Sequence, residues 1–97
     1  MSLKETINND IKTAMKAKDK ETLAVLRMIK TAIQAAEIDK KSDLTPEEEL
    51  TILSREAKQR RDSIVEFEKA GRQELVEKTQ GELAIVEKYL PAQLSLE

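Results

Sequence analysis

Apolar residues recur at helical spacing along almost the whole chain, and this periodicity limits the fold more than any other feature. One face of the first predicted helix carries Leu3, Ile7, Ile11 and Ala14. With two glycines, two prolines, one Tyr and one Phe in 97 residues, the chain has few residues suited to hairpin turns or β-rich packing. The pattern predicts an all-α protein, a four-helix bundle whose neighbouring helices run antiparallel with short connections.

Capping signals define the ends of these helices. Ser2 and Asp19 are placed to cap the first and second helices, and Thr45-Pro46-Glu47-Glu48 has the pattern of a capping box with proline at the first helical position. Gly71 is placed to end the third helix in a left-handed conformation, and Pro91 to end the fourth. The predicted helices span residues 3–17, 20–38, 46–70 and 73–90, with a polar linker at 39–44.

The length suits one domain, and we predict a single bundle over residues 1–94. Leu94-Ser95 resembles the start of another helix, with Ser95 as its cap, yet only Leu96 and Glu97 follow. Residues 95–97 are therefore interpreted as the start of a missing C-terminal helical domain or as a cloning remnant. We expect the chain to be an expressed piece of a longer protein.

The residue types that are absent exclude several kinds of chemistry. Without cysteine there are no disulfides, thiolate metal sites or cysteine nucleophiles, and without histidine the commonest general base and metal ligand are missing. The consecutive Glu47, Glu48 and Glu49 point around a helix, so they cannot converge on one metal ion or proton. Their charges instead favour the positive end of the helix dipole. We predict a non-catalytic protein without cofactor or metal.

Charge and hydropathy limit the partners and the location. No apolar run approaches the roughly 20 residues of a membrane span, and Met1–Lys20 lacks the apolar stretch of a secretion signal. We therefore expect a cytoplasmic protein that does not engage a membrane. Lys and Arg number 17 against 19 Asp and Glu, a net charge of −2, which argues against a surface that is basic throughout. A local basic patch remains compatible with this balance.

One basic cluster stands out on the third predicted helix. Arg55, Lys58, Arg60 and Arg61 lie within seven residues that contain one acid, Glu56. Arginine and lysine supply most backbone contacts to nucleic acids, so the cluster is a candidate phosphate-binding surface. The alternative is an ordinary solvated helix face, because Lys58 has Asp62 four residues further on. Both interpretations stand at this point.

Arg60 is unusual because it falls on the apolar stripe of that helix, among Leu53, Ala57 and Ile64. A buried guanidinium needs a partner or must reach out to solvent. Glu56, four residues earlier, and Glu82 of the fourth helix are its predicted partners. The alternative is that Arg60 points into a groove that opens for a partner.

The second predicted helix is apolar over more than half of its circumference, so we expect it to be the most buried. Its apolar residues are Val25, Leu26, Met28, Ile29, Ala32, Ile33 and Ala36. A narrow polar stripe containing Arg27, Lys30 and Gln34 remains. It is either a solubilising strip or the edge of a binding face.

Four segments in order resemble the YqeY family of small bacterial proteins. They are Arg27-Met28-Ile29-Lys30, the run from Leu53 to Ser63, the run from Phe67 to Arg72, and Tyr89-Leu90-Pro91-Ala92-Gln93-Leu94-Ser95. The resemblance covers essentially the whole chain. It implies a bundle of four helices followed by one of three, of which this chain would supply the first.

The resemblance also implies a function. The family is similar to the GatB-type tail domain of tRNA-dependent amidotransferases, carbon–nitrogen ligases that use glutamine as amide donor. There the tail helps to engage tRNA while the chemistry occurs elsewhere, so any ligase activity would belong to those relatives.

Two hypotheses follow from the residues and the resemblance together. The first is an accessory module for tRNA or another structured RNA. Its candidate phosphate contacts are Arg27, Lys30, Arg55, Lys58, Arg60, Arg61 and Arg72. The second is a protein-interaction module whose apolar grooves receive a partner helix or the missing C-terminal bundle.

Overall fold

A computed structural model describes residues 2–90, which form four α-helices and no strand. The helices are α1 (Leu3–Ala17), α2 (Lys20–Lys40), α3 (Pro46–Lys69) and α4 (Gln73–Glu87). The predicted all-α class is therefore confirmed. The chain divides into two compact units, Met1–Ile52 (unit 1) and Leu53–Glu97 (unit 2), with the boundary inside α3. The single bundle over residues 1–94 stays a prediction.

The predicted N-terminal caps are all present. In α1 the Glu5 backbone N–H donates to Ser2 Oγ at 3.2 Å, and the Ser2 N–H donates to Glu5 Oε1 at 3.0 Å. In α2 the Thr22 N–H donates to Asp19 Oδ1 at 3.2 Å. At the start of α3 the reciprocal bonds between Thr45 and Glu48 measure 3.1 and 2.8 Å. Each cap satisfies backbone donors that the first helical turn leaves without a partner.

Three helices end on a left-handed residue, and only one of these residues is glycine. Gly71 follows α3 with φ of 71°, as its position predicts. Lys18 after α1 and Lys41 after α2 adopt the same region, with φ of 58° and 64°. Side chains with a Cβ rarely adopt this conformation, so nothing in the sequence marks the two lysines.

Three predicted helix ends require correction. α3 ends at Lys69, one residue before the predicted end at residue 70. α2 continues two residues beyond the predicted end at Ile38, because the Lys41 N–H closes the last turn on the Glu37 carbonyl at 2.7 Å. α4 ends at Glu87 instead of Leu90, and the backbone then tightens into turns in which Leu90 N–H donates to the Glu87 carbonyl. Proline disfavours α conformation in the residue before it, so Pro91 accounts for this early end. Residues 91–97, including the helix start predicted at Ser95, lie outside the described residues.

Each unit has its own set of buried apolar side chains. In unit 1, α1 and α2 run antiparallel, since Lys4 near the start of α1 lies against Glu37 near the end of α2. The buried apolar residues of this unit are Ile7, Ala14, Val25, Leu26, Ile29 and Ile33; those of unit 2 are Leu53, Ala57, Val76 and Val86. The buried face of α2 is narrower than predicted, because Met28 is exposed.

Candidate nucleic-acid interface

Three of the predicted phosphate contacts lie on the exposed side of α3. Arg55, Lys58 and Arg61 follow one another at intervals of three residues, so successive Cα atoms are about 4.5 Å apart along the helix axis. Arg55 forms no hydrogen bond or ion pair with any residue from 2 to 90. We call these three residues the α3 basic row.

The other two members of the α3 basic row form exposed ion pairs. Lys58 Nζ lies 3.0 Å from Asp62 Oδ2, and Arg61 Nη1 lies 3.5 Å from Glu87 Oε2 on α4. All four side chains are about half exposed or more. Such pairs contribute only about 0–1 kcal/mol, so water or a ligand anion can replace the carboxylate at little cost.

Arg60, by contrast, is buried inside unit 2. Its Nη1 lies 2.8 Å from Glu56 Oε1 and also donates to the Glu56 carbonyl, and its Nε lies 3.4 Å from Glu82 Oε1. These are the two partners that the sequence predicts. Its side chain is 8% exposed, so the guanidinium is already engaged within the protein and differs in this from the α3 basic row.

The remaining predicted contacts lie elsewhere. Arg72 occupies the N-cap position of α4, exposed, with Nε 3.3 Å from Glu74 Oε2. Arg27 and Lys30 belong to α2 in unit 1, the first exposed and the second half-buried. Three of the seven positions thus share the exposed side of α3, whereas Arg27 and Lys30 form a separate pair on α2. A nucleic-acid contact at any of the seven positions stays a prediction.

The three consecutive acids of α3 have different surroundings. Glu48 accepts from Thr45 and from Lys40 Nζ, and mainly the lysine bond lowers the pKa of its carboxyl. Burial raises the pKa of Glu49.

Among the described residues, no three Asp or Glu side chains are grouped so as to hold a metal ion. Over residues 2–90, no helix combines the length and apolarity needed to cross a bilayer.

A cleft between α1 and α2 escaped the sequence interpretation. It has a volume of about 260 Å³ and is lined by Lys4, Ile7, Asn8, Lys30, Ile33, Gln34 and Glu37. At one end Lys4 Nζ lies 2.9 Å from Glu37 Oε2 and 3.5 Å from Asp43 Oδ1, and the bond to Glu37 raises the pKa of the lysine. The sequence does contain one signal for this cleft. Lys4 and Asn8 are four residues apart, as are Lys30 and Gln34, so each pair lies on one face of its helix.

The fold and its charged helix surfaces define a class: small all-α domains. The sequence profile of the Yqey-like protein family matches residues 4–97. The chain therefore belongs to this family, as the resemblance of its four segments predicted.

Several relatives share the name Altered inheritance of mitochondria protein 41, mitochondrial. The protein from Kluyveromyces lactis is 38% identical over 87 residues, which is 89% of this chain and 47% of the relative. One from Saccharomyces cerevisiae is 39% identical over 87% of this chain and 46% of its own length. The protein from Eremothecium gossypii is 36% identical over 89% and 48%. The chain thus spans about half the length of these relatives.

These names contradict the prediction of a cytoplasmic protein, because the relatives are named as mitochondrial. They are also eukaryotic proteins, whereas the resemblance led us to expect bacterial ones. The cytoplasmic prediction rested on the lack of an apolar stretch in Met1–Lys20. Mitochondrial targeting segments are amphipathic and arginine-rich, so that observation has no bearing on them.

Proposed function

We propose that this domain is a non-catalytic accessory module that binds structured RNA, of which tRNA is the first candidate. The α3 basic row contacts the phosphates. The supporting observation is that three exposed cations follow one helix, the first of them without an ionic partner among residues 2–90.

The energetics of the row favour exchange with phosphate. Lys58 and Arg61 exchange an exposed carboxylate for a phosphate oxygen, and exposed pairs contribute little to folding. Each phosphate that is neutralised releases condensed counterions from the RNA, which drives binding at low salt. The net charge of −2 does not oppose this locally, because screening limits exposed charges to a range of about 10 Å at 0.1 M salt.

Two further points support the proposal. The likeness of the family to the tail domain of tRNA-dependent amidotransferases suggests tRNA as the RNA. The absence of cysteine and histidine from the sequence removes the usual nucleophile and general base, which supports a binding role without catalysis.

The test is a titration of the 97-residue chain against total tRNA at about 50 and 200 mM salt, the range over which phosphate contacts lose most affinity. The triple variant Arg55→Glu, Lys58→Glu, Arg61→Glu should show no binding at the lower salt. Unchanged binding would eliminate the α3 basic row as the contact surface. No binding of tRNA by the wild-type chain at the lower salt would leave the protein-interaction hypothesis, which predicts association that is insensitive to salt.

The matched control is Lys12→Glu, Lys16→Glu, Lys20→Glu. These lysines are exposed in unit 1, form no ion pair with the described residues, and change the net charge equally. The control should retain most of the wild-type affinity. Circular dichroism of both triple variants separates lost binding from lost helix.

A further inference from the structure

The cleft between α1 and α2 combines an apolar floor with several polar groups that have no partners among residues 2–90. Ile7 and Ile33 form the floor, and both are about 1% exposed. Asn8, Lys30 and Gln34 line the walls, and none of their side chains forms a hydrogen bond with residues 2–90. Small-molecule sites typically pair an apolar surface with a few such convergent polar groups.

The charges of the lining favour one negative charge in the ligand. Lys4 is already paired with Glu37 at 2.9 Å and with Asp43 at 3.5 Å, so it offers no free positive charge to a ligand. Lys30 is half-buried and has no acidic partner among the described residues. A half-buried ammonium that lacks a counterion is partly desolvated, so an anion beside it is stabilised more than it would be on the open surface.

The positions of these residues favour a carboxylate over a phosphate. Asn8 and Lys30 lie in the interiors of α1 and α2, where backbone N–H groups are already bonded within the helix. Phosphate dianions are usually held by several cations or by free N–H groups at a helix start. One uncommitted ammonium with two side-chain amides matches a monoanion.

We propose that this cleft binds a small organic carboxylate with an apolar body. Lys30 Nζ and the amides of Asn8 and Gln34 hold the carboxylate, and the body rests on Ile7 and Ile33. The volume of about 260 Å³ lies just below the usual range for drug-sized ligands, so the ligand is a small metabolite. This site is independent of the α3 basic row.

The test is an NMR titration of the ¹⁵N-labelled chain with benzoate as the probe. Saturable shifts should appear at the amides of Asn8, Lys30 and Gln34. Benzamide, which has the same body without the charge, should produce no saturable shift there, and neither should inorganic phosphate, which has the charge without the body.

Two variants make the assignment specific. Lys30→Gln should weaken benzoate binding about tenfold, the usual effect of losing a charged hydrogen bond, and Asn8→Ala should weaken it less. Lys12→Gln, an exposed lysine of α1 outside the cleft, should leave binding unchanged. The dispersion of the spectrum reports whether each variant is folded.

Three results would overturn the proposal: no benzoate shifts at the cleft, equal affinity in Lys30→Gln, or phosphate binding as tightly as benzoate. The last would reveal a general anion site. The carboxylate proposal and the RNA proposal can be refuted independently. The triple variant Arg55→Glu, Lys58→Glu, Arg61→Glu changes no residue that lines the cleft, so it should still bind benzoate.

Discussion

The main ion pairs of the two units differ in how deeply they are buried. In unit 1 the central cation, Lys4, is 41% exposed and bonds to Glu37 and to the exposed Asp43. In unit 2 the central cation, Arg60, is 8% exposed and lies between Glu56 and Glu82. Water can replace a lost partner at the first site and only poorly at the second. The same ionic contact is therefore structural in one unit and replaceable in the other.

The first prediction is the largest effect. Arg60→Ala should lower the free energy of unfolding by about 3 kcal/mol, the lower end for a broken buried pair, because Glu82 retains some access to water. Urea denaturation measures it. Lys4→Ala should move the midpoint much less. Equal shifts in the two variants would remove the distinction between the units.

A combined substitution sharpens this result. Replacing Arg60 by Met together with Glu56→Leu and Glu82→Leu should restore most of the lost stability, because buried ionic networks rarely outperform apolar side chains of similar size. If the triple variant were less stable than Arg60→Ala, the network would contribute net stability beyond satisfying its own charges.

The second prediction concerns the helix ends. Gly71→Ala should cost about 1 kcal/mol, entirely through backbone strain, because a Cβ at this position would meet nothing within 4 Å. In unit 1 the opposite change, Lys41→Gly, should stabilise by about 0.5 kcal/mol by relieving the left-handed lysine. Thermal unfolding of both variants checks the pair. Shifts of the same sign would contradict the account.

The third prediction tests how much the N-terminal cap of α3, which lies in unit 1, contributes to stability. Thr45→Ala should cost about 1 kcal/mol, because the Glu48 N–H loses its acceptor. Ser54→Ala, an exposed position within the same helix, serves as the control and should raise the urea midpoint slightly, because alanine has the higher helix propensity. If Thr45→Ala left the urea midpoint unchanged, water would be accepting the hydrogen bond from the Glu48 N–H in place of the threonine hydroxyl.

The fourth prediction is the smallest effect and depends on pH. Burial raises the pKa of Glu49 above its ordinary value of 4.5, so the folded state binds this proton more tightly than the unfolded chain. The resulting penalty is complete above the raised pKa and disappears as the pH falls towards 4.5. Glu49→Gln should therefore raise the melting temperature at about pH 7 and have no effect at about pH 4. A gain that is equal at both pH values would contradict this cause.

Local signals made most of the fold predictable. Ser2, Asp19, Thr45 and Gly71 mark helix ends through short-range hydrogen bonding and backbone conformation, and the structure follows each one. The partners of Arg60 could also be inferred, because the steps along α3 place it on the apolar stripe. Features that depend on contacts between distant parts of the chain could not be predicted from the sequence. The left-handed Lys18 and Lys41 and the exposed Met28 carry no local signal.

The candidate site was predictable only in part. The α3 basic row depends on spacing within one helix, which the sequence contains. The pairing of Arg61 with Glu87, which is distant in the chain, required coordinates. The cleft between α1 and α2 required them for the same reason, because each helix contributes only part of its lining.

The central claim is that phosphate contacts by the α3 basic row drive RNA binding. The most direct measurement is the slope of log K against log salt for tRNA, in the wild-type chain and in Arg55→Gln. Loss of one phosphate contact should make the slope shallower by about 1, with affinity lowered for every tRNA alike. An identical slope in the two proteins would contradict the account.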